Sequence, residues 1–357
     1  MSERTQGAER APGGAPEGWL LAVKGRVDER LRAFFEERRR AAGALAGPEA
    51  VELARSVEAL TLRGGKRLRP AVLVAAYCAV DEEGAWERCL SACAALELLQ
   101  SHLLIHDDWM DGDDERRGGP SVHAALRRAH GDDHLGASLA ILAGNLANTW
   151  GWGLLLAERA FPEDRRARAV DAYLEMQRRV VYGQQLDLLG TERVGDMVRL
   201  KTGSYTVQGP LRLGACLAGA NDAQLEALRR FGEPLGEAFQ IRDDLLGTFG
   251  DPRATGKPNG SDLRAGKRSS LVRMAETTLA PEARVPLEAV LRRAEADEVA
   301  VRRARRLLEE QGVREAVERR LDRLLERSTA ALEGAPLTAR GRAMLGDLAR
   351  RMAVRDR

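Results

Sequence analysis

Residues 103–123, LLIHDDWMDGDDERRGGPSVH, join an apolar segment to a dense group of charges. Five aspartates and one glutamate fall between positions 107 and 115, and two arginines, a double glycine and a proline follow. Asp107 and Asp111 are four residues apart, so on a helix both carboxylates lie on one face, where like charges are destabilising unless something neutralises them. The stretch is either a solvated acidic helix end or a cation site. The apolar residues before it favour Mg²⁺, which takes hard oxygen ligands beside a substrate phosphate.

A second stretch repeats this arrangement. In FQIRDDLLG, residues 239–247, Asp243 and Asp244 also end an apolar helical segment. The long loop that follows, residues 251–270, is rich in Gly, Lys and Arg, which indicates a mobile lid. Two acidic pairs that face each other can hold Mg²⁺ ions bridged by a polyphosphate.

The composition indicates an all-α protein. Only 4% of the 357 residues are aromatic, Ala, Leu, Arg and Glu recur throughout, and runs of β-branched residues are scarce. Apolar residues recur at spacings of three and four from Trp19 onward. Asn221 followed by Gln224 predicts a helix that starts with a capping box. Helices are expected near residues 18–43, 48–62, 67–80, 84–112, 118–130, 134–160, 163–189, 193–219, 221–250, 268–278, 282–296, 298–311, 312–333 and 338–353.

The overall organisation is predicted to be simple. Residues 1–16 are polar and rich in Gly, Ala and Pro, which predicts a disordered tail, and residues 17–357 are expected to form one helical domain. The formal net charge of +2 gives no global attraction to nucleic acid. The four cysteines lack zinc-ligand spacing and are expected to be buried thiols. The longest apolar run, residues 71–80, is about half the length that a bilayer requires, so we expect a cytoplasmic protein without stable membrane insertion.

The basic groups near the acidic motifs have two open interpretations. Lys66 and Arg69 in GGKRLRP, residues 64–70, stand at a helix start, where backbone N–H groups favour anions. The same residues also fit an ordinary positively charged turn. Arg116 and Arg117 could bind a phosphate or simply pair with the aspartates before them. His106 beside Asp107 raises the further hypothesis of a metal-dependent phosphohydrolase, but the other histidines are not placed as its ligands.

Taken together, five motifs resemble those of the trans-isoprenyl diphosphate synthases. These are GGKRLRP, then ELLQSHLLIHDDWMD with RRGGPSVH, then LKTGSY, then FQIRDDLLG and finally GKPNGSDLRAGKRSSL. The resemblance covers roughly residues 45–350. It implies an all-helical isoprenoid synthase fold around an apolar cavity, a homodimer, and Mg²⁺-dependent condensation of isopentenyl diphosphate with dimethylallyl, geranyl or farnesyl diphosphate. The expected product is a short all-trans chain, with geranylgeranyl diphosphate favoured and farnesyl diphosphate possible.

The resemblance also implies roles for particular residues. Catalysis is assigned to Lys201 and to the aspartates of the acidic motifs. The expected metal ligands are Asp107, Asp108, Asp111, Asp243 and Asp244. The allylic diphosphate is assigned to Arg116, Lys201, Thr202, Gln240 and Lys257, with Lys267 nearby. Isopentenyl diphosphate is assigned to Lys66, Arg69, Gln100 and Arg117. The departing pyrophosphate is the base, so no histidine or glutamate dyad is needed.

Product length is expected to depend on His102 and Leu103. A helix rises about 1.5 Å per residue, so one turn roughly matches one isoprene unit. The apolar residues before Asp107 are expected to line the tunnel for the growing chain, and these two side chains, one turn before Asp107, would meet its tail. Because neither is a bulky aromatic, they would form only a partial floor, that is, they would partly close the far end of the tunnel. The alternative is that His102 points into a helix interface and the floor lies elsewhere.

One position departs from the pattern of the family. Many members carry a third aspartate in the second motif where this chain has Gly247, and Asp251 follows four residues later. The departure leaves open the roles of Asp244 and Asp251. The same motifs allow two other functions: a non-catalytic subunit of a heteromeric synthase, and a terpene cyclase. The intact acidic and basic motifs argue against the former, and the presence of GGKRLRP without a cyclase-type second metal motif argues against the latter.

Overall fold

The computed structural model describes residues 15, 17–191, 193–251, 260–264, 266–291 and 297–353. Within these ranges the chain is almost entirely helical, which confirms the predicted all-α class. All but Ala15 of the predicted N-terminal tail lies outside the described residues, as does Lys257. The single-domain organisation stays a prediction.

The helices follow one another with short connections. The first nine are α1 (Trp19–Leu62), α2 (Leu68–Val80), α3 (Leu90–Asp111), α4 (Val122–His130), α5 (Asp133–Leu156), α6 (Glu163–Leu188), α7 (Val194–Val198), α8 (Gly209–Ala218) and α9 (Asp222–Phe249). A 3₁₀ turn, Trp86–Cys89, precedes α3, and a π-helix, Arg199–Gln208, joins α7 to α8. The C-terminal part contains α10 (Ser261–Arg264), α11 (Ser270–Thr278), a 3₁₀ turn (Pro281–Arg284), α12 (Val285–Leu291), α13 (Glu298–Glu310), α14 (Val313–Ala330) and α15 (Ala339–Ala353).

Two helix boundaries were predicted well. The capping box at the start of α9 is present, since Asn221 accepts a hydrogen bond from the backbone of Gln224 and the Gln224 side chain accepts one from the backbone of Asn221. The break predicted between residues 43 and 48 is a kink within α1, where Ala46 (φ −146°) and Gly47 (φ 78°) leave helical geometry and Pro48 resumes the helix.

Two segments next to the acidic motifs differ from the prediction. The expected helix over 193–219 is interrupted by the π-helix, because the polar LKTGSY segment adopts wider turns there. The start of the expected helix over 118–130 is instead a small hairpin, in which β1 (Glu115–Arg116) pairs antiparallel with β2 (Gly119–Pro120). Arg117 (φ 54°) and Gly118 (φ 72°) form its turn, and positive φ at both central residues suits a tight two-residue hairpin.

The core is centred on α2 and α3. Helix α3 packs against α5, α1 and α2, while α2 packs against α8 and α15. Leu96, Leu98 and Ile105 of α3 are fully buried in this main cluster. A second apolar cluster joins α9 to α10 through α14, and Leu325 contacts both clusters. The packing holds α3 and α9, the helices that carry the two acidic motifs, in a common frame.

Two helical stretches in the described part of the chain are long and apolar enough to cross a bilayer by length and composition alone. In Trp86–Asp111, 67% of the most apolar window is buried, as in the core helix of a soluble protein. In Asp133–Leu156 only 39% is buried, so this helix presents apolar surface on the outside of the monomer.

Helix α8 approaches α2 so closely that it requires a glycine. A methyl group at Gly214 would lie 2.2 Å from the backbone oxygen of Leu73, which cannot move without shifting α2. We therefore predict that Gly214→Ala lowers the free energy of unfolding in urea by about 1–3 kcal/mol. Gly25→Ala is the matched control, because Gly25 is exposed on α1 with nothing near its missing methyl group. It should raise stability by about 0.5–1 kcal/mol through helix propensity. Equal effects of the two substitutions would contradict this account of the α2–α8 contact.

Candidate functional site

A cleft of about 1520 Å³ opens where α3, α6 and α9 approach their C-terminal ends. It brings together residues from four of the motifs singled out in the sequence. The predicted site residues that line it are Asp107, Asp111, Arg116, Arg117, Lys201, Thr202, Gln240, Asp244 and Lys267. The others in the described part of the chain are not among its lining residues: Lys66, Arg69, Gln100, His102, Leu103, Asp108 and Asp243.

The first acidic motif occupies the last turn of α3. Gly112, with φ 71°, ends the helix in the left-handed conformation, so Asp107 and Asp111 project from its negative end. Burial, together with the charge of Asp107, raises the pKa of Asp111. Negative charge is concentrated at this helix end, and cations would relieve it.

Asp108 has a different environment from its neighbours. It is fully buried, and Arg116 Nε donates to its Oδ1 at 2.7 Å. Its Oδ2 is also buried and has no hydrogen-bond partner among the described residues. Burial raises the pKa of Asp108 even though Arg116 opposes the shift. This geometry makes Asp108 the residue that orients Arg116 toward the cleft, and its role as a metal ligand stays a prediction.

The hairpin after α3 carries Arg117 toward the GGKRLRP loop. A methyl group at Gly65 would lie 3.4 Å from Nη1 of Arg67 and 3.6 Å from Nη1 of Arg117. Burial lowers the pKa of Arg117, and the positive charges of Arg67 and Arg69 lower it further. Cations are thus crowded on this side of the site, which favours an anion there.

Arg67 and Arg117 are the non-glycine residues with positive φ in the described ranges, at 50° and 54°. Such a conformation costs roughly 1–3 kcal/mol and persists only where surrounding contacts enforce it. Buried Arg67 is held by Asp28 at 2.7 Å and Glu97 at 2.5 Å. This cluster could not be predicted from the sequence, because its two carboxylates come from distant parts of the chain.

Arg69 is the second residue of α2. Its guanidinium is 4.2 Å from the centre of the Tyr205 ring, and Nη2 donates to Thr206 Oγ1 at 3.1 Å. Its buried Nε has no partner among the described residues. The π-helix therefore orients one of the residues predicted to bind isopentenyl diphosphate.

The π-helix also places Lys201 against the first acidic motif. Lys201 Nζ lies 3.2 Å from Asp107 Oδ1 and 2.6 Å from Asp187 Oδ2. Burial alone would lower the pKa of Lys201, but the two carboxylates raise it above its usual value, so the ammonium is retained. A methyl group at Gly183 would lie 2.3 Å from the backbone nitrogen of Lys201, so this glycine permits the approach of α6. π-Helical turns of this kind are frequent at functional sites.

Asp187 lines the cleft and was missed in the sequence analysis. It belongs to GQQLDLLG on α6, far from either double aspartate. The available signal was a polar run in the last turns of a helix, which is too common to single out one aspartate.

The second acidic motif is built around Asp244, which is 6% exposed. Gln240 Nε2 donates to its Oδ1 and the backbone N–H of Ser270 donates to its Oδ2, both at 2.7 Å. Burial raises the pKa of Asp244, and these hydrogen bonds oppose the shift. Asp244 thus ties α9 to the start of α11, and the half-buried Asp243 stands beside it.

The two histidines of α3 face away from the acidic group. His102 Nδ1 donates to the backbone oxygen of Gly144 at 3.0 Å, and His106 Nε2 donates to that of Ile141 at 3.2 Å. Burial lowers the pKa of His102 to about 4. These contacts use both rings in the α3–α5 interface, which removes the basis for a phosphohydrolase centre at His106 and Asp107. The part of His102 and Leu103 in product length stays a prediction.

The donor set fits Mg²⁺. No preformed group of three or more His, Cys, Asp or Glu side chains with metal-binding geometry occurs in the part of the chain that the structure describes. Mg²⁺ usually binds through one or two carboxylates, waters and substrate phosphates rather than in an all-protein cage. Carboxylates from α3 and α9 that line one open cleft, with cations beside them, match that mode of binding.

Comparison with known proteins agrees with this geometry. The sequence model of the polyprenyl synthetase family matches residues 50–308. The short chain isoprenyl diphosphate synthase of Methanocaldococcus jannaschii is 37% identical over 227 residues, which cover 62% of this chain and 65% of that protein. The geranylgeranyl diphosphate synthase of Sulfolobus acidocaldarius is 38% identical over 217 residues, 58% of this chain and 62% of that protein. The matched segment thus spans slightly less than two thirds of these relatives.

A solved structure extends the likeness over nearly the whole chain. It is the geranylgeranyl pyrophosphate synthase of Corynebacterium glutamicum, complexed with isoprenyl diphosphate and magnesium. The TM-score is 0.85 at 33% sequence identity, and the alignment covers 95% of this chain and 99% of the other. With the family match over residues 50–308, this chain belongs to the polyprenyl synthetase family.

Proposed function

We propose that this protein is a Mg²⁺-dependent prenyltransferase that condenses isopentenyl diphosphate with dimethylallyl, geranyl or farnesyl diphosphate. The product is a short all-trans prenyl diphosphate, with geranylgeranyl diphosphate favoured over farnesyl diphosphate. The observation that carries the proposal is the cleft itself, which is lined by Asp107 and Asp111 of the first acidic motif and by Asp244 of the second, together with Lys201 and Arg116. Membership of the family supports the same reaction.

The first step is loss of the diphosphate from the allylic substrate. The acidic residues at the ends of α3 and α9 would hold Mg²⁺, which would supply positive charge to the diphosphate oxygens. Lys201 and Arg116 are kept charged by their carboxylate partners, so they stabilise the negative charge that develops on the leaving group. Thr202, Gln240, Lys257 and Lys267 complete the proposed allylic site.

The second substrate binds on the other cationic side. We assign isopentenyl diphosphate to Lys66, Arg69, Gln100 and Arg117. Buried Arg67 fixes the loop that carries Lys66, and the hairpin turn brings Arg117 to the same loop. The double bond of isopentenyl diphosphate then attacks the allylic cation, and the released pyrophosphate accepts the proton.

Assembly as a homodimer is part of the proposal. Helix α5 carries three leucines, Leu135, Leu142 and Leu156, that are spaced seven and fourteen residues apart. All three are more than 40% exposed. Leu174, Val181 and Leu188 of α6 repeat the same spacing and are at least 50% exposed. Seven residues are close to two helical turns, so each set forms one stripe. A second copy of this chain would cover these stripes, which suits a cytoplasmic enzyme better than membrane contact does.

Activity should depend on both acidic motifs. We predict that Asp107→Ala and Asp243→Ala each reduce kcat of the purified chain by a factor on the order of 10³, because each removes charge that holds the metal at the leaving group. Asp322→Ala, on the exposed face of α14, should leave kcat unchanged. The rate of isopentenyl diphosphate incorporation is the measurement. Folded Asp107 and Asp243 variants with near-normal rates would contradict the site, and an inactive wild-type chain would indicate a non-catalytic subunit.

Product length should respond to the residues one turn before Asp107. We predict longer products from the variant with His102→Ala and Leu103→Ala, and shorter ones from His102→Phe, because the first opens and the second fills the proposed floor. Leu21→Ala is the control, since Leu21 is 76% exposed on α1, away from the helix that carries Asp107. Chromatography of the dephosphorylated products gives the answer. An unchanged distribution in an active double variant would place the floor elsewhere and leave His102 as an α3–α5 packing residue.

The dimer should depend on the apolar stripes. We predict that Leu142→Glu combined with Val181→Glu yields monomers in light scattering after size-exclusion chromatography, because buried charges without partners oppose association. Leu21→Glu is the matched control, since Leu21 is 76% exposed on α1, outside both stripes. Loss of the dimer in the control alone, or a monomeric wild type, would contradict the proposed interface.

A further inference from the structure

The hairpin after α3 is held from outside by Arg63. Nη1 of Arg63 donates to the backbone oxygen of Pro120 at 2.8 Å and to that of Arg116 at 3.2 Å. Pro120 belongs to β2 and Arg116 to β1, the two strands of the antiparallel pair. A single side-chain nitrogen therefore bonds both strands of the hairpin.

The hairpin needs support of this kind. Each strand is only two residues long, and a short two-stranded hairpin is marginally stable by itself. Its turn contains Arg117 with φ 54°, a strained conformation that persists only where surrounding contacts enforce it. The bonds from Arg63 reach the backbone on both sides of this turn. They therefore fix the backbone from which the Arg117 side chain projects.

Arg63 is itself anchored at the end of α1. It is the C-cap residue, and its backbone N–H donates to the last turn of that helix at 3.2 Å. The carbonyl of Thr61 accepts a hydrogen bond from Arg67 Nη2 at 2.9 Å. The carbonyl of Leu60 accepts one from Arg117 Nη1 at 3.4 Å. Arginines at the last carbonyls complement the negative end of a helix, so the end of α1 is a common anchor for the GGKRLRP loop and the hairpin turn.

Arg63 acts from outside the proposed reaction site. It is not among the described residues that line the cleft. It lies instead in a separate groove between the second half of α1 and the start of α4, beside Pro120. Contact with a substrate is therefore not its role, and any effect on the reaction must pass through the hairpin that it bonds.

The two arginines of the hairpin depend on this support to different degrees. Arg116 Nε donates to the buried carboxylate of Asp108 at 2.7 Å, so α3 holds this side chain directly. Among the described residues, the side chain of Arg117 has one hydrogen bond, the long one to Leu60. Loss of Arg63 should therefore displace Arg117 and leave Arg116 in place.

We propose that Arg63 positions Arg117 for isopentenyl diphosphate by holding both strands of the hairpin. This inference rests on the proposed function, because it requires Arg117 to bind that substrate. Arg63 thereby sets the affinity for isopentenyl diphosphate, whereas the affinity for the allylic substrate depends on Arg116 and its carboxylate partner.

The test compares the KM values of purified full-length variants for the two substrates. Arg63→Met removes the donor and should raise KM for isopentenyl diphosphate roughly tenfold, the worth of about one hydrogen bond. KM for geranyl diphosphate should change less than about twofold, because Asp108 still holds Arg116. Arg63→Lys should restore most of the affinity, because both bonds come from one nitrogen and an ammonium carries several donors. Arg55→Met, at an exposed arginine of the same groove, should match the wild type.

A double substitution shows whether Arg63 acts through Arg117. In the Arg117→Ala background, Arg63→Met should raise KM for isopentenyl diphosphate less than about twofold further, because the side chain that it positions is gone. Full additivity, or an unchanged KM in folded Arg63→Met, would overturn the role of Arg63 and leave the proposed function standing. A fall in kcat with both KM values unchanged would do the same, since it indicates lost stability alone. Arg63→Gln, with a shorter side chain, gives the same comparison if the methionine variant does not fold. An inactive wild-type chain would overturn both proposals.

Discussion

Negative charge at the C-terminal ends of two apolar helices is the constraint on which the site depends. The backbone dipoles already make these ends negative, and the Asp107 and Asp111 carboxylates on α3 add to that field at one-turn spacing. Asp244 on α9 is almost fully buried, where an uncompensated charge is expensive. The fold accepts this arrangement only because cationic and hydrogen-bonding groups surround it. The negative charge that these groups do not balance in the open cleft is, in turn, what attracts a divalent cation and its diphosphate.

The surrounding groups reach the site because several backbones approach closely. The π-helix can bring Lys201 to Asp107 because Gly183 on α6 leaves space for its backbone, and it contacts α9 at Gly203 and Gly236. Two arginines in left-handed conformations, Arg67 and Arg117, lie in the loop before α2 and in the hairpin turn after α3, which form the second cationic region. Close packing at glycines positions Lys201, which we assign to the allylic diphosphate. Local backbone strain positions Arg117, which we assign to isopentenyl diphosphate.

Much of this could be predicted from the sequence. The all-α class and the capping box at Asn221 follow from local periodicity and side-chain chemistry. The acidic motifs can be recognised because charge follows directly on apolar segments. What escaped prediction depends on contacts between distant segments. Asp187 looks ordinary in sequence, and Asp108 could not be distinguished from Asp107 until its burial was known. The hairpin was missed because its strands are two residues long, too short to show an alternating pattern.

The central claim is that the ends of α3 and α9 hold a metal-bridged diphosphate between them. Anomalous diffraction from crystals grown with Mn²⁺ and inorganic pyrophosphate tests it most directly, since Mn²⁺ takes the oxygen ligands of Mg²⁺ and can be located by its own scattering. The account predicts metal peaks beside the carboxylates of Asp107 and Asp111 and beside the acidic group of α9, with pyrophosphate between them. Pyrophosphate bound outside the cleft, or bound there with no metal at either helix end, would contradict it.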